Sequence, residues 1–311
     1  MSFSITTAMV EQYNANVIML SQQRDSRLQK TCQIADVNGK AFYAERIGST
    51  EMYERTSRHA DVRPVNTPHT RRKGTVHDME WSDLIDPQDG EKTLIDINGK
   101  YVQSAVAAAN RAKDSRILRA LGGVAHGGVA GATSINNYDA GECRLVEGDG
   151  TLVTAGSDGS GTTDTNLTVT KLKVAATLLD QAEVGRERPR YFVTNAANIN
   201  ALLIDTTLGA EEMRQVRDLV NGLITKFMGF EFIQIEYRAS GTGLAYHTID
   251  TTCVECYAFA QGAITLGVGS DIKTVVERRP DKGCDQVLAT LDIGAERNEG
   301  PAVVEVLLKA A

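Results

Sequence analysis

The stretch from Asp36 to Asp96 constrains this chain most, because it is extended, polar and poor in apolar residues for its length. Val37-Asn38-Gly39-Lys40 is a turn signal, followed by the short run Ala41–Ile47. Pro64, Pro68 and Gly74 then interrupt the chain before a second extended run containing Val76, Met79, Trp81 and Leu84. The pattern predicts a long two-stranded hairpin with a polar tip. An isolated hairpin is marginal in water, so this one needs cover from outside the chain. Its charge is sorted. Arg55, Arg58, Arg63, Arg71, Arg72 and Lys73 are opposed only by Asp61. Asp78, Glu80, Asp83, Asp86, Asp89, Glu91 and Asp96 are opposed only by Lys92. A charge run is ordinarily a solvated face, yet two opposite runs on one arm also suit contacts between neighbouring copies.

On either side of that arm the periods change. Val10, Tyr13, Val17 and Leu20 recur at helical spacing within Ala8–Lys30, an amphipathic segment whose end is polar. Asn98–Leu121 is the clearest helix: Asn98 as cap, an alanine-rich middle, and Gly122-Gly123 to end it. It is about 35 Å long at the usual rise. Arg111, Lys113, Arg116 and Arg119 complement its dipole. Residues 122–161 form a long Gly-, Ser- and Thr-rich connection with a short hairpin near Cys143–Val153. Mixed structure follows: a helix through Leu172, Ala175 and Leu179, a strand at Tyr191–Thr194, helices at Ala196–Ile204 and Glu211–Met228, and an alternating strand at Phe230–Tyr237. The last third is strand-dominated, with apolar alternation through Ile264–Val268, Val287–Ile293 and Ala302–Leu308.

Chemistry finds no assembled site in these residues. The net charge of −7 disfavours a nucleic-acid reader, which usually carries a basic surplus. Five scattered cysteines indicate a reducing compartment without a disulfide framework. Neither a signal peptide nor a membrane-spanning run is expected. Cys253-Val-Glu-Cys256 lacks the second ligand pair of a zinc site and lies in strand-like sequence, where residues three apart face opposite ways. Core cysteines are the better reading. His59, His69, His77, His126 and His247 are dispersed. Gly267-Val-Gly269-Ser-Asp271 is a fragment of a phosphate loop without the third glycine or the helix. The acidic segment Gly156–Asp164 lacks the ligand spacing of a calcium loop. Asn166-Leu-Thr168 is a chance sequon in the absence of secretion. No catalytic, cofactor-binding or metal-ligating residues are assigned.

Tyr101–Gly122, Tyr191–Leu203, Gly222–Ile233 and Cys256–Leu266, taken in order with the parts above, make a succession that resembles the Hong Kong 97-type major capsid proteins of tailed bacteriophages. The residues that carry the resemblance are Tyr101-Val-Gln-Ser-Ala-Val-Ala-Ala-Ala-Asn-Arg111-Ala-Lys-Asp114-Ser-Arg-Ile117-Leu-Arg-Ala-Leu121-Gly122, similar to a spine helix with its Arg and Asp. Tyr191–Leu203 resembles an A-domain strand and helix, Gly222–Ile233 a helix-to-strand passage, and Cys256–Leu266 the strand re-entering the P domain. The resemblance implies an α+β fold with an N-terminal arm (1–35), an E-loop hairpin leading into the P domain (36–96), a spine helix with a long loop (97–165), an A domain (166–255) and returning strands (256–311). It also implies a non-enzymatic shell subunit that forms hexamers and pentamers of an icosahedral head around double-stranded DNA, packaged without sequence specificity. Its partners would be copies of itself, a scaffolding protein and a portal protein, but no membrane. It would be found in the virion, and in the host cytoplasm during assembly. E-loops of the family lie over a neighbour's P domain and spine helix. Arg63, Arg71, Arg72 and Lys73, placed near the hairpin tip, are the candidate contacts to acidic groups on that neighbour. The alternatives are an encapsulin-like compartment on the same fold and an unrelated soluble α+β enzyme.

Overall fold

The computed structural model describes residues 22–59, 61–86, 97–136, 144–146, 165–204, 210–222, 225–238, 241–246 and 253–309. The expected arm helix before residue 22, the acidic segment 156–164, Cys143 and His247 lie outside them. The first half contains β1 (Gln33–Asp36), β2 (Ala41–Ile47), β3 (His69–Thr75), β4 (His77–Ile85), α1 (Ile97–Gly122), β5 (Ala125–Gly127), β6 (Thr133–Ile135) and β7 (Arg144–Val146). The second half contains α2 (Val169–Gln181), β8 (Arg190–Thr194), α3 (Ala196–Ala201), α4 (Ala210–Val220), β9 (Lys226–Phe227), β10 (Phe230–Gln234), β11 (Cys253–Ala260), β12 (Ile264–Arg279), β13 (Cys284–Arg297) and β14 (Val303–Lys309).

Three sheets organise these elements. The largest has the order β7-β14-β11-β8-β10-β9. Its middle strands are apolar on both faces, and Val303–Leu308 and Arg190–Thr194 are buried throughout. Such runs need cover above and below. Part of that cover is α2, whose Leu172, Ala175, Leu178 and Leu179 are buried in the core. Thr168 caps it, its Oγ1 accepting from the Lys171 N–H at 3.4 Å. The end of α1 reaches the same core through Ile117, Leu118 and Leu121.

The second sheet has the order β1-β12-β13-β4. Its long pair β12–β13 is irregular between Val268 and Lys273. Beyond Leu266 and Gly267, β12 leaves the core and its remaining residues are mostly exposed. Across this sheet lies α1. Its 26 residues make a beam of about 39 Å, slightly longer than the sequence implies. Asn98 is its second residue and not its cap.

The third sheet, β2-β3-β5-β6, corrects the predicted hairpin. Ala41–Ile47 pairs with His69–Thr75, not with the run from Val76 to Leu84. Instead, that run, as β4, joins β13, with His77 opposite Ile293 and Ile85 opposite Asp285. The reason is cross-strand chemistry. Glu45 of β2 stands opposite Arg71 of β3, whereas Met79 and Trp81 of β4 stand opposite Leu291 and Ala289 of β13. Two further expectations change. Glu211–Met228 is not one helix: α4 stops at Val220 because Gly222 takes a left-handed φ of 72°. Met228 and Gly229, at φ 51° and 82°, then turn β9 into β10. Arg144–Val146 pairs with β14; the rest of the hairpin expected near Cys143–Val153 lies outside the described residues, and earlier in that connection β5 and β6 form a hairpin.

Candidate assembly surfaces

Three surfaces stand out, each built on a rigid element. The first is the end of the β2–β3 hairpin. The Gly48 N–H donates to the Pro68 carbonyl at 2.8 Å and closes the ladder, and residues 49–68 extend beyond it. Every described residue of that loop is exposed. Its apolar members are among them: Met52 is 100% exposed, Val62 90% and Ile47, at the loop's base, 70%. Apolar side chains this open, on a segment without a core of its own, make the loop a candidate interaction surface.

The hairpin is rooted firmly. Phe42 of β2 is buried. A Cβ at Gly74 would lie 2.1 Å from its ring, and one at Gly267 would lie 2.5 Å from it. Two glycines thus form a slot that fixes the hairpin to β12, which explains Gly267 without any phosphate. Behind the hairpin, Glu296 of β13 is buried. Its Oε1 accepts from the His126 backbone N–H at 2.7 Å, and its Oε2 is 3.8 Å from His126 Nδ1. Burial raises the Glu296 pKa, against the opposing pull of His126, Arg297 and Arg72.

The second surface is an apolar trough of about 310 Å³ between α1 and the second sheet. Ala108, Ala109 and Ala112 of α1 form one wall; Met79 and Trp81 of β4 and Leu291 of β13 form the other. Small side chains on the helix keep the trough open. Asp78 and Glu80, on the outer strand β4, are exposed beside it.

The third is the clasp between residues 22–31 and α1. Asp114 is 0% exposed, and its carboxylate is saturated by the incoming segment. The Arg27 and Leu28 backbone N–H groups donate to it at 3.1 Å each, Ser26 Oγ at 2.6 Å, and Gln23 Nε2 completes the set. One turn away, Arg111 donates to Gln22 Oε1 at 2.7 Å and to the Gln23 carbonyl at 3.1 Å. Asn110 holds the Arg24 carbonyl at 2.8 Å. Arg111 and Asp114 are the pair on which the spine-helix resemblance rests. Their partners were not legible, since no local pattern ties positions so far apart in sequence.

The four cations assigned to the hairpin tip separate. Arg63 is exposed on the loop. The others sit on β3, not at the tip. Arg71 pairs with Glu45 and lies 5.0 Å from the centre of the Tyr43 ring. Lys73 Nζ donates to the Ala130 carbonyl at 3.3 Å. Arg72 is only 3% exposed, opposite Gly127 of β5.

The catalytic alternatives gain nothing. Cys253 and Cys256 are both buried in β11, and Cys256 Sγ donates to Thr194 Oγ1 at 3.5 Å. Burial pushes that thiol up to about 12, far from a reactive thiolate. Among the described residues no group of histidine, cysteine or carboxylate side chains has the makings of a metal site. No helix among them is long and apolar enough to cross a membrane.

Residues 5–309 match the family model described as phage capsid protein. The chain belongs to the phage capsid protein family. A search of curated proteins finds no match. Solved structures agree on the fold. The capsid of cyanophage Pam1 superposes with a TM-score of 0.70 at 16% identity, over 100% of this chain and 99% of that one. The head of Helicobacter pylori bacteriophage KHP40 gives 0.68 at 11% identity, over 99% and 98%. The capsid of cyanophage P-SCSP1u gives 0.65 at 13% identity, over 99% and 95%. The fold is the α+β Hong Kong 97-type capsid fold. This capsid protein is a structural, non-enzymatic subunit of the virion.

Proposed function

We propose that this capsid protein assembles as hexamers and pentamers of an icosahedral head around double-stranded DNA, and that the loop at residues 49–68 is its main reach to a neighbouring copy. The observation that carries the proposal is the loop's exposure: Met52, Val62 and Arg63 stand in solvent at the end of a hairpin rooted by Phe42. In this reading the loop is the E-loop, α1 the spine helix, and the sheet β1-β12-β13-β4 the P-domain sheet. The six-stranded sheet, with its helices, forms the A domain. The acceptor on the neighbour is the trough between α1 and β4, with its apolar floor and the acidic Asp78 and Glu80 beside it. Arg63 makes the charged contact from the loop. Arg71 and Lys73 face outward from the strand behind it, and Arg72 acts from inside by holding that strand. A separate scaffolding protein and a portal complete the assembly in the host cytoplasm.

Contacts between different patches on successive copies close into rings and shells. Negative-stain electron microscopy and light scattering on the purified chain, alone and with its scaffold, test this directly. Rings or shells many times the size of one subunit are the expected result. A monomer under every condition would refute it.

A further inference from the structure

Where β3 passes into β4, the end of α1 and the end of β13 enclose an open cleft of about 320 Å³. His77, Arg116, Arg119, His126, Glu296 and Arg297 line it. Three guanidinium groups and two imidazoles therefore share a single carboxylate, and Glu296 is already engaged by the His126 N–H at 2.7 Å.

A helix C-terminus by itself attracts cations, and that would be the ordinary explanation for the arginines. Here the role is filled. Arg297, 1% exposed, donates through Nη1 to the Leu121 carbonyl at 2.9 Å, one of those the helix leaves over, and to the Gly123 carbonyl just beyond it at 3.0 Å. Arg116 and Arg119 are surplus to it. Three positions apart on one face of α1, they repel each other. The Arg116 Nε is shut off from solvent with no hydrogen-bond acceptor among the described residues. Burial and the Arg119 charge together lower the Arg116 proton affinity. Keeping a buried donor unmet costs stability, so Arg116 is held beside the cleft at a cost, and an anion in the cleft that Arg116 and Arg119 line would offset their repulsion.

We propose that this cleft binds a single oxyanion of the phosphate class, held between Arg116 and Arg119 and bounded by His77 and His126. Guanidinium donors match such an anion in geometry as well as charge. The bound group joins α1, β4 and β5, and so stiffens the junction at which the hairpin sheet meets the body.

The test uses the full chain and inorganic phosphate, titrated against chloride at constant ionic strength. The readouts are the thermal unfolding midpoint and the phosphorus-31 line width. The midpoint should rise to saturation with phosphate and the line should broaden. Arg116→Gln with Arg119→Gln should weaken the apparent affinity by about tenfold or more, each tenfold being about 1.4 kcal/mol. Arg186→Gln, outside the cleft, should leave that affinity unchanged. If the double variant does not fold, Arg119→Gln alone, at an exposed position, should still show the loss by line width. An equal response to phosphate and chloride, or a double variant that responds like the parent, overturns the proposal. Adding a short double-stranded oligonucleotide to the phosphate-saturated protein separates two sources of the group. Sharpening of the phosphate line assigns it to a nucleic-acid phosphodiester, and an unchanged line assigns it to the free anion.

Discussion

A buried carboxylate is tolerated only when its lone pairs are met, and Asp114 meets that condition through residues that lie far away in sequence. Its four donors all come from residues 23–28. It therefore decides where the N-terminal segment meets α1. Asp114→Asn keeps the shape but turns one of the two oxygens into an NH2 group, which faces one backbone N–H and one side-chain donor, so two of the four contacts are lost. The expected cost is about 3 kcal/mol, since hydrogen bonds to charged groups are the strong ones and the donors left behind stay buried. A lowered denaturation midpoint, with faster hydrogen exchange at the Arg27 and Leu28 amides, would confirm it; an unchanged exchange rate would place the clasp elsewhere. Asp180 carries a second residue-scale prediction. Hydrogen bonds from Arg186 and Arg190, at 2.5 and 2.6 Å, hold its pKa at about 2. An unfolded aspartate titrates near about 3.9. Its folded-state value is depressed, so its contribution is present above about pH 4 and is lost as the pH falls toward 2. Stability measured over that window should fall more steeply for the parent than for Asp180→Asn. Parallel curves would show that the pair contributes nothing.

Among the elements, the legible ones are those whose signal is local. The alanine-rich run and its terminal glycines placed α1, apolar alternation placed β12 and β13, and the apolar run through Ala302, Val304, Val306 and Leu308 placed β14. The apolar period through Leu172, Ala175 and Leu179 placed α2. What stayed hidden was pairing. Nothing in Ala41–Ile47 says that its partner is His69–Thr75 and not the more apolar run beyond, because register follows from contacts that form only in three dimensions. The same limit hid the assembly surfaces. The sorted charges pointed to the hairpin, but only the fold shows that Arg72 is inside it and Arg63 outside, and that the apolar trough exists. Gly74 and Gly267 likewise read as breakers or a loop fragment until Phe42 lies between them. This slot gives an element-scale prediction. Phe42→Ala should cost about 3–5 kcal/mol, as truncation of a buried phenylalanine does. Gly74→Ala should cost about 1–3 kcal/mol by overpacking. In both variants hydrogen exchange should accelerate in β2 and β3 well before it does in β11 or β14. Uniform acceleration across the sheets would mean that the hairpin is not a separate unit.

At the scale of the whole molecule, the body and the hairpin loop answer different questions. The body carries a continuous core across the six-stranded sheet and the end of α1; among the described residues of the loop from 49 to 68 none is buried. Stability and assembly should therefore come apart under mutation. Reversing Arg58 and Arg63 to Glu changes only exposed side chains. The unfolding midpoint should move by less than about 0.5 kcal/mol, as surface substitutions do. Assembly should behave differently, because each copy repeats the same contact around a closed ring and the losses add. Even about 1.4 kcal/mol per contact raises the concentration needed by about tenfold, and light scattering against concentration reads that threshold. Arg72→Glu reverses the order of effects. It places a carboxylate at a site 3% exposed, near the already buried Glu296, where two like charges are strongly unfavourable. It should abolish soluble folded chain before assembly can be asked about. If Arg58 and Arg63 reversal unfolded the subunit, or left the threshold unmoved, the division between a self-sufficient body and a contact-bearing loop would fail, and the trough beside α1 would need another occupant.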